Sequence, residues 1–593
     1  ATNLSKSYGV KGSFYGEVDI LRDLRFKSVL SIDFTSYDQK NFTPSFLGYD
    51  GGFYGYTEDG SASGSNAHRK LIGTFRENTL TYDKMWGEDH HLNAVIGHAW
   101  EQQKAEWFSA AGKGYPDDYI LTGLSSAQQA ASVAGATPDY KVSLLSFYGR
   151  LNYTLLDRYL FTFTARSDAS SKFAKGHRVG FFPSGAVAWR LSQEKWLRDV
   201  KAVDELKIRA SIGKTGTQSI SDFMFLTLYK PGAYGGQSAI YPSQLGNDAI
   251  QWEGTLQWDL GLDFSFFNGR LSGTFGYYNK TTDGALLSVP IAPSSGFSNL
   301  TTNIAKIRNI GIEFDINADI IRTKDWRWNL GFNITHNSSK CLKLQGTLFS
   351  SADNRTELNL GTSVFKEGES LGLLCGYKVN GILETEEQVE AYKKKFPAWS
   401  SMNPVLGVGS YEFDIDETGY YHQDVIGNSQ PDFFGGITTS VQYKSWGISA
   451  HFTYSVGNDL MYMRDVNDMS FSTMGNRGVR ILEASTATEY HPGKVLSAYN
   501  NTIMLNSLNV YDASYLKCSS LALNYSLPQR LCKAIRMNNL SAYISANNLF
   551  TITKYPGPDP AVSDDPYSIT GGGRDISSYP TTRGVTLGIR AGF

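Results

Sequence analysis

The last nine residues of the chain alternate strictly between apolar and polar side chains. The apolar positions are Val585, Leu587, Ile589, Ala591 and Phe593. A period of two places successive side chains on opposite faces of a β-strand. A final strand of this kind that ends on an aromatic residue is typical of bacterial outer-membrane barrels. We therefore predict that Val585, Leu587, Ile589 and Phe593 form a C-terminal signal for barrel assembly.

The same alternation recurs in long segments through the chain. Residues 254–266, 307–320 and 326–337 are clear examples. Strands in soluble sandwiches usually have about 5 or 6 residues, whereas a tilted strand that crosses a bilayer needs roughly 9 to 11. The length of these segments favours an all-β transmembrane antiparallel barrel. A soluble secreted β-protein that binds or cleaves glycans is the weaker alternative.

Composition agrees with a barrel and excludes other classes of protein. Aromatic residues make up 13% of the chain, and barrels place such residues in girdles at both membrane interfaces. The chain contains no apolar run of about 18 residues, which a helical membrane protein would need. The net charge is −2 and no basic run occurs, so nucleic acid is not an expected partner. The cysteines show no metal-binding spacing.

Short and long connections alternate between the predicted strands, as they do in outer-membrane barrels. We expect the short connections to be periplasmic turns and the long, Gly-, Tyr-, Ser- and Asn-rich segments to be extracellular loops. The predicted strands are 13–21, 24–36, 65–85, 90–102, 143–155, 159–168, 181–190, 204–213, 254–266, 270–281, 307–320, 326–337, 432–443, 447–458, 512–526, 538–550 and 583–593.

This count of about 17 strands is odd, whereas single-chain bacterial barrels normally have an even number. If the tight turns are periplasmic, strand 13–21 runs inward. About five further strands would then give the 22 strands of plugged outer-membrane transporters. We expect residues 1–593 to be the C-terminal portion of such a barrel, with strand 13–21 paired to a strand outside this chain.

Several sequence blocks, in order along the chain, resemble the SusC/RagA family of TonB-dependent transporters. These blocks are DASSKF at 168–173, RVGFFPS at 178–184, residues 206–218, NIGIEF at 309–314, DASYLK at 512–517, NNLF at 547–550 and YPGPDP at 555–560.

The resemblance implies a function in nutrient uptake. A SusD-like surface lipoprotein would capture an oligosaccharide or a peptide and cover the barrel. TonB, acting through an N-terminal region with a plug, would supply the energy for import across the outer membrane. The assembly would contain two barrels and two lipoproteins, and no catalytic activity or required cofactor is expected. A passive porin or surface-adhesin barrel is the alternative.

Four aromatic residues in the predicted extracellular loops are candidate ligand contacts. Flat aromatic faces stack on sugar rings and on peptide side chains. The alternative for each of them is packing within the loop or against the lipoprotein. The candidates are Trp107, Tyr115, Tyr234 and Trp399.

One acidic segment resembles a calcium-binding loop. It carries Asp414 and Asp416 at the first and third positions and a glycine at the sixth. It departs from that pattern because Thr418 replaces the fifth-position acid and Asp424 falls one residue short of the closing carboxylate. We keep Asp414, Asp416 and Asp424 as candidate Ca²⁺ ligands, and an ordinary acidic turn is the favoured alternative.

Overall fold

A computed structural model describes most of the chain. The described residues are 2–47, 62–344, 357–359, 363–395, 407–414, 423–464, 506–562, 572–576 and 578–592. They divide into two compact units that are described separately. Unit 1 contains Ala1–Val187, Gly213–Gly254 and Ser288–Thr302, and unit 2 contains Ala188–Ile212, Thr255–Leu287 and Asn303–Phe593.

Among the described residues, 17 strands belong to one large antiparallel sheet, and we number them β1 to β17 in chain order. Their bounds are Thr2–Leu21, Leu24–Thr43, Ser63–Trp86, His90–Lys113, Gln129–Leu155, Tyr159–Ser170, Val179–Arg190, Val203–Thr217, Glu253–Phe266, Leu271–Pro290, Asn299–Arg322, Trp326–Leu344, Phe433–Tyr443, Trp446–Val456, Tyr515–Ser526, Asn539–Thr553 and Gly584–Gly592.

In unit 1, β1 to β6 pair in succession, and each pair is antiparallel. Because paired residues share a face of the sheet, each row across the strands has one chemical character. One row is apolar and consists of Val18, Phe26, Leu80, Ile96, Gly149 and Ala165. The adjacent row points to the other face and consists of Glu17, Lys27, Thr79, Gly97, Tyr148 and Arg166. The sheet therefore has an apolar face and a polar face.

In unit 2, β12 to β17 also pair in succession. An apolar row consists of Trp328, Val441, Ile448, Leu523, Ile544 and Leu587. The adjacent row on the polar face consists of Asn329, Ser440, Ser449, Ala522, Ser545 and Thr586. The alternation of the final strand thus continues a pattern that extends over its neighbours.

A β-bulge interrupts β15. Between the pairs Ala450–Leu521 and Phe452–Cys518, β15 has one residue more than β14, and Ser519 is the residue without a partner in the ladder. A single extra residue moves every later side chain to the opposite face. Above the bulge Leu516 therefore lies on the apolar face, and Lys517 lies on the polar face.

The predicted strands match the observed strands one for one, but the predicted loop boundaries were wrong at several places. At the tight turns the predicted and observed ends agree to within a few residues. At the long loops the strands continue further: β2 ends at Thr43 rather than at 36, and β4 ends at Lys113 rather than at 102. Beyond an apolar band both faces of a strand meet water, so backbone pairing continues after the alternation has ended.

The loops contain smaller elements. In unit 1 the segments Leu228–Tyr234 and Gln237–Gln244 form a hairpin. In unit 2 the pairs are Glu357–Asn359 with Val364–Lys366, Leu373–Tyr377 with Gln423–Asn428, and Val379–Ile382 with Tyr411–Phe413, and a three-stranded sheet consists of Asp459–Tyr462, Val510–Asp512 and Arg574–Asp575.

Two α-helices are described, α1 at Glu386–Lys395 and α2 at Gln529–Ala534. Helix α1 packs through Val389 and Tyr392 against Leu383. Short 3₁₀ turns lie at Ser45–Leu47, Leu124–Ser126, Leu191–Gln193, Pro293–Ser295 and Ser507–Asn509. In the part of the chain that the structure describes, every helix is too short or too polar to cross a bilayer.

Candidate functional site

The polar face of β1 and β2 carries a ladder of paired side chains. Lys11 Nζ lies 2.9 Å from Asp33 Oδ2, and the Ser13 and Ser31 hydroxyls are 2.9 Å apart. Nearer the turn, Lys27 Nζ lies 2.9 Å from a Glu17 carboxylate oxygen. These pairs follow from register, because residues that pair across two strands bring their side chains together on one face.

The same face continues across β3 to β6. The Tyr148 hydroxyl donates a hydrogen bond to Glu77. Arg166 Nε donates to Asp168, and Arg166 Nη2 donates to the Ser146 hydroxyl at 2.8 Å. We call the polar faces of β1 to β6 the polar wall. Many of its charged side chains are paired with one another, so it is a surface rich in hydrogen-bonding groups.

Unit 2 has paired charges of the same kind on β8 and β9. Lys207 Nζ and Arg209 Nε lie 2.8 Å and 3.1 Å from the carboxylate of Asp263. These groups are only partly buried, and water screens such pairs strongly. Their contribution is therefore to the character of the surface more than to the stability of the sheet.

A second kind of ion pair lies at the loop end of β15 in unit 2. Lys517 Nζ donates to Asp559 Oδ2 at 2.7 Å, and the Thr581 hydroxyl donates to the same oxygen at 2.8 Å. The backbone N–H of Ala561 donates to the other carboxylate oxygen. Burial raises the pKa of Asp559, but these hydrogen bonds outweigh that effect and hold the pKa below its usual value.

Next to this pair, the Tyr555 hydroxyl donates to Asp575 Oδ2 at 2.8 Å. Asp575 is fully buried, and its other oxygen accepts from the backbone N–H of Ser578. Burial, followed by the hydrogen bond to Asp575, raises the pKa of Tyr555. The rings of Tyr462 and Tyr511 pack edge-on against Tyr555.

We call Lys517, Tyr555, Asp559, Asp575 and Thr581 the loop anchor. It ties residues 555–562 and 578–581 to the large sheet through Lys517 and to the three-stranded sheet through Asp575. Every charged group in it has a hydrogen-bonded partner, as buried charges require. The loop anchor therefore fixes the described parts of the last long loop in one position.

The predicted aromatic contacts lie in three different settings. Trp107 lies in β4 rather than in a loop, which corrects the prediction, because pairing of β3 with β4 continues to Lys113. Tyr115 packs edge-on against Phe42 and lies over Gly64, so it fills a structural position. Tyr234 is 87% exposed at the tip of the 228–244 hairpin. Trp399 lies outside the described residues.

The predicted calcium ligands are described only in part. The backbone N–H of Asp414 donates to the Lys378 carbonyl, and Asp424 accepts from the backbone N–H of Val425. Asp416 lies outside the described residues. Within the residues that are described, no group of at least three His, Cys, Asp or Glu side chains is placed to hold a metal ion. Calcium binding therefore stays a prediction.

The C-terminal residues occupy the apolar face of β17. Val585, Leu587 and Ile589 are exposed on that face, and β17 pairs with β16. Phe593 lies outside the described residues. The part that these residues play in barrel assembly stays a prediction.

The loop anchor is not among the sites predicted from the sequence. Lys517 and Asp559 lie in the blocks 512–517 and 555–560 that carried the family resemblance, which was the available signal. The alternation alone could not assign Lys517 to the polar face, because the bulge at Ser519 changes the face of every residue above it.

Comparison with known proteins adds independent information on this architecture. A family model described as "TonB dependent receptor-like, beta-barrel" matches residues 3–549. TonB-dependent receptor P3 of Formosa agariphila is 30% identical over 600 residues, which cover 98% of this chain and 58% of that protein. TonB-dependent receptor SusC of Bacteroides thetaiotaomicron is 29% identical over 619 residues, which cover 100% of this chain and 57% of that protein.

Among solved structures, the RagAB peptide transporter matches with a TM-score of 0.81 and 21% identity, over 100% of this chain and 62% of that chain. At this identity the match shows the fold. The chain spans less than two thirds of the length of these relatives.

Proposed function

The chain belongs to the family of TonB-dependent receptor β-barrels, and on that premise we propose that it forms most of the barrel wall of a SusC-type nutrient importer. Members of this family are outer-membrane β-barrels, so the apolar face of the large sheet contacts lipid and the polar wall faces the lumen. The observation that carries the proposal is the presence of both faces on the same strands, in a chain that the family model matches over residues 3–549.

The proposed ligand is an oligosaccharide or a peptide. A SusD-like surface lipoprotein would capture it, and energy from TonB would drive its passage through the lumen. Two barrels would assemble with two lipoproteins. The names of the relatives support this reading, since one is SusC and another is a peptide transporter. The first is named a receptor and the second a transporter, and we propose no catalytic reaction.

Of the four aromatic candidates, Tyr234 is the one that we propose as a ligand or lipoprotein contact. Its ring is exposed at a hairpin tip, whereas Tyr115 is packed against Phe42. Loops held by a rigid scaffold are common positions for binding residues.

We also propose that residues 1–593 are the C-terminal portion of the barrel and that a strand outside this chain pairs with β1. Along one edge β1 pairs with β2, and nearly all of its residues are exposed. The greater length of the relatives supports this proposal. The plug and the TonB-binding region would belong to the same additional part.

Uptake by whole cells tests the proposed function. Cells that carry the complete gene would take up labelled oligosaccharides and peptides, with and without a protonophore that removes the energy source for TonB. An energised importer loses uptake in the protonophore and also when the gene of the proposed SusD-like lipoprotein is deleted. Uptake that persists under both conditions would identify a passive porin.

A further inference from the structure

A groove of about 730 Å³ opens on the apolar face of unit 2, at the loop end of β12 to β16. Its apolar lining includes Phe332, Phe433, Ile437, Val456, Leu516 and Ile552. Register places these residues on the same face as the apolar row that contains Val441 and Ile448. The groove therefore faces the membrane rather than the lumen.

Gly435 and Tyr454 form the floor of this groove. Gly435 has no side chain, and the Tyr454 hydroxyl lies next to it and donates a hydrogen bond to the Asn333 carbonyl at 2.9 Å. The Tyr454 ring is nearly parallel to Phe332, with an interplanar angle of 7°. A Cβ at Gly435 would clash with the Asn333 carbonyl and with the Tyr454 hydroxyl, so another residue there would disturb this hydrogen bond.

The bulge at Ser519 supplies part of one side of the groove. Because it changes the face of the residues above it, Leu516 points outward and pairs with Tyr454 and Ile552. Without the extra residue, Lys517 would point into the membrane. The same bulge thus places an apolar residue in the groove and a lysine in the loop anchor.

The level of the groove in the membrane follows from strand geometry. Tyr454 lies eight residues above Trp446, the first residue after the turn. Eight residues rise about 20 Å at about 3.3 Å per residue and a tilt of roughly 40°. The apolar band of an outer-membrane barrel is about 25 Å tall, so the groove lies in its outer part.

Polar groups line the groove at its loop end. Lys554, Asp512 and Ser514 are part of the lining there, directly above the apolar residues. Hydrogen bonds from Ser514, and to a smaller extent the positive charge of Lys554, lower the pKa of Asp512. Lys554 supplies a positive charge at the level where lipid headgroups lie, because long basic side chains extend to the membrane interface.

We propose that this groove binds one acyl chain of a phosphate-bearing lipid of the outer leaflet, with Lys554 next to the phosphate. The outward direction of the groove, its apolar lining and the lysine at its outer end together select this occupant. Water is a poor occupant because the lining is mostly apolar. This inference rests on the outer-membrane location and is independent of the proposed import function.

The test uses the complete protein purified from native outer membranes and exchanged into a mild detergent. Native mass spectrometry measures how much lipid stays bound, and the released lipid mass identifies it. Ile437→Trp fills the groove. Val441→Trp is the matched control, since Val441 lies on the same strand and the same face nearer the turn. Heat-modifiable electrophoretic mobility verifies that each variant is a folded barrel.

We expect about one retained lipid per barrel in the wild type, a loss of at least fivefold in Ile437→Trp and no loss in Val441→Trp. Lys554→Gln should lower the retention of phosphate-bearing lipids two- to fivefold. Equal retention in the wild type and both tryptophan variants would overturn the groove as a binding site. Unchanged retention in Lys554→Gln would overturn the headgroup contact.

A photo-crosslinking residue at position 437 gives an independent readout. Crosslinks to lipid support the proposal. Crosslinks to a second copy of the chain would overturn it, because the groove would then be a protein interface.

Discussion

Two lysine–aspartate pairs show how the lumen wall and the outer loops differ. Lys11 and Asp33 on the polar wall are 2.9 Å apart, and their side chains are 79% and 44% exposed. Lys517 and Asp559 in the loop anchor are 2.7 Å apart, and their side chains are 11% and 3% exposed. The atoms and distances are almost the same, so the surroundings make the difference.

An exposed ion pair contributes about 0–1 kcal/mol, whereas removing one partner of a buried pair costs about 3–5 kcal/mol. The Lys11–Asp33 pair can therefore exchange its partners with water or with a passing ligand at little cost. The loop anchor cannot, and it holds its loop in one position. The proposed importer would need both properties, a lumen that does not hold its ligand and loops that stay in place.

Replacing Lys517 with methionine should have the largest effect. Methionine preserves much of the length of the side chain but leaves the buried Asp559 without its cation, at a cost of about 3–5 kcal/mol. Hydrogen exchange of residues 555–562 and 578–582 should accelerate about 100-fold or more, since each 1.4 kcal/mol is a factor of ten. Lys11→Met is the matched control. Equal acceleration in both variants would remove the distinction between the two pairs.

Replacing Tyr555 with phenylalanine should have the next largest effect. The buried Asp575 loses a hydrogen bond and keeps the one from the Ser578 backbone, which costs about 1–3 kcal/mol. The hydrogen exchange of residues 572–576 and 578–582 should accelerate roughly 5- to 100-fold. Tyr229→Phe, at an exposed tyrosine, serves as the control. If hydrogen exchange in Tyr555→Phe equals that of the wild type, the Tyr555 hydroxyl does not stabilise the loop anchor.

Acid should weaken the loop anchor, because the pKa of Asp559 is lowered in the folded protein. The stabilisation from this carboxylate is fully present above its unfolded pKa of about 3.9 and is lost as the pH falls through the lower folded pKa. Asp559→Asn should abolish this part of the pH dependence. Hydrogen-exchange rates of the loop anchor, corrected for the intrinsic pH dependence of exchange, measure this loss of stability. A loss of protection between pH 7 and pH 5 that depends on Asp559 would contradict this assignment.

Tyr234→Ala should leave the stability unchanged and weaken ligand binding. A stacking contact contributes about 0.5–1.5 kcal/mol, which corresponds to roughly a 2- to 10-fold increase in the concentration for half-maximal uptake. Tyr115→Phe is the comparison, since that ring is packed against Phe42. If uptake by Tyr234→Ala cells has the wild-type concentration dependence, the proposed contact is wrong.

Lys11→Ala should have the smallest effect on stability. The pair with Asp33 is exposed, so its loss costs at most about 1 kcal/mol. Chemical denaturation followed by heat-modifiable mobility should give a midpoint close to that of the wild type. A large shift would mean that the polar wall is fixed as firmly as the loop anchor.

The sequence predicts the sheet well because the apolar–polar alternation of each strand can be read from neighbouring residues alone. The strands near 326–337 and 583–593, for example, show the alternation that the structure confirms, and a tight turn fixes where the first of them begins. The outer ends of β2 and β4 were missed because backbone pairing continues where the alternation fades.

The loop anchor could not be predicted for a different reason. Its partners are distant in sequence, since Lys517 and Asp559 are 42 positions apart. The face of Lys517 depends on the bulge at Ser519, which has no signature in the period of two. The sequence therefore marks the block 512–517 as a family motif but does not predict the contact between Lys517 and Asp559.

The most direct test of the account is the composition of the complex isolated in detergent from outer membranes of the native source, determined by intact-mass and peptide analysis. We expect this chain to be recovered with a plug, a TonB-binding region and a SusD-like lipoprotein. Such a complex would establish an energised importer and leave its ligand as the open question. Recovery of the barrel alone, with neither plug nor lipoprotein, would contradict the account and identify a passive barrel.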